Sequence, residues 1–67
     1  MIKVKLKNPQ YFLTIENGTT YNRIANLWQK DFKFPLKEES FSYSTPLQEI
    51  IDWGNNNVND ATTNPKR

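Results

Sequence analysis

The sequence predicts a small α+β domain in the chain order ββαβα, an antiparallel sheet with two helices packed on one face. Three observations predict it. Residues 2–7 alternate strictly between aliphatic side chains (Ile2, Val4, Leu6) and lysines (Lys3, Lys5, Lys7), as a strand with one dry side does. Tyr21, Ile24, Ala25, Trp28 and Phe32 recur at offsets of three, four, seven and eleven, the spacing of an apolar helix stripe. Thr45-Pro46-Leu47-Gln48 sets a capping residue, a proline and a glutamine in the order in which helices begin.

Each element follows from its residues. Asn8-Pro9-Gln10 breaks the first strand, because proline donates no ladder hydrogen bond and favours a turn. Residues 11–16, YFLTIE, form a second strand that pairs with the first as a hairpin. Tyr11, Leu13 and Ile15 then join Ile2, Val4 and Leu6 on the core face, and Phe12 and Thr14 fall on the lysine side. Asn17-Gly18 is the strongest short hairpin signal and points to a further strand. The helical spacing beyond it is taken to outweigh that signal, giving a helix over about residues 20–31, capped by Thr19 or Thr20. Pro35 argues against a central strand in the next stretch, while Phe41 and Tyr43 alternate with Ser40, Ser42 and Ser44 as a third strand. The second helix opens at Pro46 with Thr45 as its cap, Gln48 completing a capping box, and Glu49 placed well for the helix dipole. Leu47, Ile50, Ile51 and Trp53 form its apolar side, and Gly54 with the asparagines that follow ends it. The domain is therefore expected to span 1–57, with 58–67 a disordered polar tail.

A chain of 67 residues holds one small domain that buries a modest fraction of its surface. With no cysteine and no histidine it has neither a disulfide staple nor the usual zinc ligands, so an aromatic-rich core or association must supply stability. No apolar run approaches the roughly 20 residues that cross a bilayer. The start also lacks the features of a signal peptide. A cytoplasmic, soluble protein with no membrane partner is the expectation.

The same composition excludes most chemistry. Histidine and cysteine are absent, Ser40, Ser42 and Ser44 read as the wet side of a strand, and Glu38 and Glu39 are adjacent rather than facing. Gly18 and Gly54 are the only glycines, which leaves no glycine-rich phosphate loop. No enzyme, cofactor or metal site is expected.

Binding remains. Seven cations stand against two acids in residues 1–37, whereas residues 38–53 hold four acids and no cation, an asymmetry that favours charged partners. Nine aromatic residues exceed what so small a core absorbs, and exposed aromatics are what interface hot spots are made of. The expected function is a non-enzymatic protein-binding module, an inhibitor or regulator of a larger macromolecule of the kind carried by phages and mobile elements. Its candidate contacts are Glu38, Glu39, Tyr43, Glu49, Asp52 and Trp53. The alternative is a small nucleic-acid-binding protein using Lys3, Lys5, Lys7, Phe12, Arg23, Lys30 and Lys33, lysines for phosphates and an aromatic ring for a base. Against that alternative, the lysine face serves equally to keep a thin sheet soluble and its edge unpaired, which is the reading preferred here. Self-association is left open.

Overall fold

The computed structural model describes residues 1–19 and 21–63, the last five of them by backbone only. Its elements are β1 (Ile2–Lys5), β2 (Tyr11–Asn17), β3 (Asn22–Gln29), β4 (Lys37–Ser42) and α1 (Leu47–Thr63). The strands form one antiparallel sheet in the order β1-β2-β3-β4. The architecture is thus α+β as expected, but its order is ββββα with a single helix rather than ββαβα with two.

The first hairpin follows its alternation. Ile2 pairs with Ile15 and Val4 with Leu13 on one face, and Lys3 pairs with Thr14 and Lys5 with Phe12 on the other. β1 stops at Lys5, two residues before the predicted end. There Leu6 turns into the core, Lys7 N–H leaves the ladder and donates to Asn55 Oδ1 at 3.0 Å, and Asn8 Oδ1 accepts from Gln10 N–H at 2.9 Å. That last bond closes an asparagine turn over Pro9.

The segment expected to be the first helix is strand β3. Its register pairs Leu13 with Leu27 and Ile15 with Ala25 on the core face, and Phe12 with Trp28 and Glu16 with Ile24 on the far face. Apolar side chains therefore point to both sides, so the strand does not alternate, and Ile24, Ala25 and Trp28 fall by coincidence at helical offsets. Gly18 accordingly opens a hairpin connection rather than a helix, its N–H donating to Asn22 C=O at 3.0 Å. A Cβ there would stand 2.6 Å from Ile24 Cγ1, so a larger residue would have to displace the Ile24 side chain. The fourth strand lies earlier than the sequence predicts, and Tyr43 and Ser44 belong to the turn after it.

α1 begins at Leu47, its first turn closed by Ile50 N–H donating to Pro46 C=O at 3.4 Å. The expected capping box is not formed. Gln48 Nε2 donates forward to Asp52 Oδ1 at 3.0 Å, and Thr45 Oγ1 lies 3.3 Å from Ser42 Oγ. The helix also does not stop at Gly54 but runs to Thr63. Ile50, Gly54 and Val58, four residues apart, are its buried seam. Gly54 is where helix and sheet come closest, since a Cβ there would lie 2.9 Å from both Leu13 Cδ1 and Cδ2. Residues 58–63 of the expected tail are thus helical, with Val58 in the core, and 64–67 lie outside the described residues.

The core beneath α1 consists of Leu6, Tyr11, Leu13, Ile15, Ala25, Leu27, Ile50 and Val58, with Val4, Phe41, Ile51 and Trp53 packed against it. Trp53 closes one side, its ring edge-on to Phe41 with centroids 5.6 Å apart, a geometry that adds to the burial of both rings.

Candidate functional site

Because cross-strand partners share a face, the register assigns the side of the sheet turned away from α1 to Lys3, Lys5, Phe12, Thr14, Glu16, Ile24, Asn26, Trp28, Glu38 and Ser40. At its centre Phe12 and Trp28 lie with planes 5° apart and centroids 6.1 Å apart. Trp28 is held by its indole Nε1–H, which donates to Thr14 Oγ1 at 2.8 Å. Lys3 Nζ stands 4.6 Å from the Phe12 centroid, within the range of a cation–π contact. Lys3, Lys5, Phe12 and Lys30 line one concavity of about 380 Å³ beside the turn at Pro9.

Of the residues proposed for nucleic acid, this arrangement gathers Lys3, Lys5, Phe12 and Lys30. Lys7 instead faces the helix side, sharing a second concavity with Asp52 and Asn55. Arg23 pairs with Phe41 on the core side of the sheet, and its guanidinium lies 5.3 Å from the Tyr43 ring centroid. Lys33 is exposed in the β3–β4 connection.

The residues proposed for protein binding do not form one patch. Glu38 pairs with Asn26 and Glu39 with Ala25, so strand alternation sends them to opposite faces of β4. Glu49 and Asp52 are exposed on α1, while Trp53 is spent on Phe41 and the core. Tyr43 is exposed but paired with Arg23.

A different surface stands out. In the connection formed by residues 30–36, Phe34 is 78% exposed, Phe32 57% and Leu36 41%, in the same segment as the exposed Lys30 and Lys33. The segment is nevertheless anchored. Lys30 N–H donates to Gln10 C=O at 2.7 Å, Phe32 N–H to Gln29 C=O at 3.1 Å and Leu36 N–H to Leu27 C=O at 2.7 Å. Asp31 makes the reversal with φ of 70°, a left-handed conformation that aspartate tolerates better than most side chains. The sequence carried a signal for this surface in the alternation of Phe32, Phe34 and Leu36 with lysines around Pro35, but Phe32 was assigned to the buried stripe of a helix.

Among the described residues no group of histidine, cysteine, aspartate and glutamate is arranged to hold a metal ion, and no helix is long and apolar enough to cross a membrane. Comparison with protein-family models, with curated proteins and with solved structures finds no match for the chain.

Proposed function

We propose that the protein is a non-enzymatic protein-binding module that docks through the β3–β4 connection, inserting Phe32, Phe34 and Leu36 into an apolar pocket on a larger partner. The observation that carries this reading is the exposure of three large apolar side chains on one anchored segment. Exposed apolar clusters rimmed by polar groups mark interaction surfaces. Aromatic side chains carried on a backbone that is already anchored bind with less ordering cost. Lys33 favours a partner whose pocket is rimmed by acids. Docking here leaves the acidic segment of residues 38–53 uninvolved.

The test is a double variant, Phe32→Ser with Phe34→Ser, compared with the wild type in cross-linked capture from nuclease-treated lysate of the source cells. Loss of a hot-spot aromatic weakens a complex by about 30-fold or more, so a partner held by the wild type should be lost. Thermal unfolding should hardly change, because surface substitutions cost within about 0.5 kcal/mol. Equal capture by both proteins sinks the proposal. So does sedimentation showing that the wild type is a dimer which the variant converts to monomer, since the ridge would then serve self-association.

A further inference from the structure

We infer that the open face of the sheet, separate from the β3–β4 ridge, is a site for single-stranded nucleic acid. Phe12 and Trp28 would stack unpaired bases, and Lys3, Lys5 and Lys30 would contact phosphates.

Three features favour this occupant over a merely solvated face. First, a face that only kept the sheet soluble would need lysines and hydroxyls, not two half-buried rings set parallel to within 5°. The indole is further fixed by its bond to Thr14, so its plane is set before anything binds. Second, the cations gather at Phe12: Lys3 stands over its ring, and Lys5 and Lys30 line the same concavity as that ring. None of these three ammonium groups has an ion-pair partner among the described residues, so their charge is available to an anion. Third, both rings are only half-buried, so part of each stays open to flat ligands. A flat π-system linked to regularly spaced anions is the chemistry of a nucleic-acid strand with its bases unstacked. A duplex keeps its bases stacked inside and offers such a face only phosphates. An acidic peptide offers charge without regular planar groups.

The experiment measures fluorescence anisotropy of a labelled ten-nucleotide thymidylate, the duplex of the same length and a labelled polyglutamate, across a salt series. The single strand should bind best at low salt. Its log-log salt slope should be about −0.7 for each phosphate contact, and the Lys3→Gln, Lys5→Gln double variant should flatten the slope by about 1.4. Phe12→Leu keeps the apolar volume and removes the ring, and it should weaken binding by roughly 5- to 100-fold without changing the salt slope. Phe32→Ser with Phe34→Ser should leave the affinity unchanged, which separates this site from the protein-binding ridge. The inference is overturned if the duplex or the polyglutamate binds as well as the single strand, or if the slope survives the lysine substitutions. It is equally overturned if no strand binds at low salt while circular dichroism shows each protein folded.

Discussion

The face of the sheet beneath α1 and the face turned away from it are built from the same four strands, alternate residue by alternate residue, yet they treat water oppositely. Beneath the helix, Leu13, Ala25, Leu27 and Ile50 are sealed from solvent. On the other side no helix covers the sheet among the described residues, yet Phe12, Ile24 and Trp28 are half-buried and Thr14 and Asn26 are buried. The covered face is held by removing apolar area from water. The open face is held by ring geometry, a cation over a ring and one indole hydrogen bond. The contrast separates the residues that determine whether the chain folds from those left for contact.

The sharpest way to break that contrast is a pair of matched truncations. Ile50→Ala should cost about 2–5 kcal/mol in urea unfolding, as expected for a fully buried large-to-small change, whereas Ile24→Ala on the open face should cost clearly less. Similar losses at both positions would show that the faces are equally committed to stability. Gly54→Ala tests how tightly the covered face is closed. Alanine favours a helix over glycine by about 1 kcal/mol, but its methyl would meet the two Leu13 methyls, and overpacking costs about 1–3 kcal/mol. The variant should be destabilised on balance, and a rise in melting temperature would show that the seam has room. Thr14→Val has the smallest expected effect. It keeps the shape and removes the acceptor of the Trp28 N–H, costing about 0.5–1.5 kcal/mol, with a change in tryptophan emission as the indole loses its tether. Unchanged emission would mean that Trp28 is positioned by packing alone.

What the sequence disclosed depended on how local each cause is. The first hairpin was legible because alternation fixes the face of every side chain once the strand is recognised, and Phe12 and Thr14 lie on the lysine side as read. β3 was not, because a strand with apolar residues on both faces loses the period that identifies it. There the Asn17-Gly18 signal was the better guide. Gly54 was read as a helix stop because glycine usually acts locally. Its role here is set by Leu13, far away in sequence. The same holds for the site. Lys3, Lys5 and Phe12 could be grouped from one hairpin, whereas Trp28 could join them only once β3 was known to be a strand paired with β2. Treating the acids of residues 38–53 as one surface ignored that neighbouring residues on a strand point apart.

The sequential strand order β1-β2-β3-β4 bears on the time at which each face meets its cover. Every strand pairs with the one just before it, so each hairpin can close as soon as its second strand is available, at the small entropic cost of a short loop. The helix that covers Leu13, Ile15 and Leu27 follows all four strands. Until the helix docks, therefore, the paired strands have both faces bare. For that interval Leu13 and its neighbours are open to solvent and to any sticky surface in the cell, and only the docking of Ile50, Gly54 and Val58 buries them.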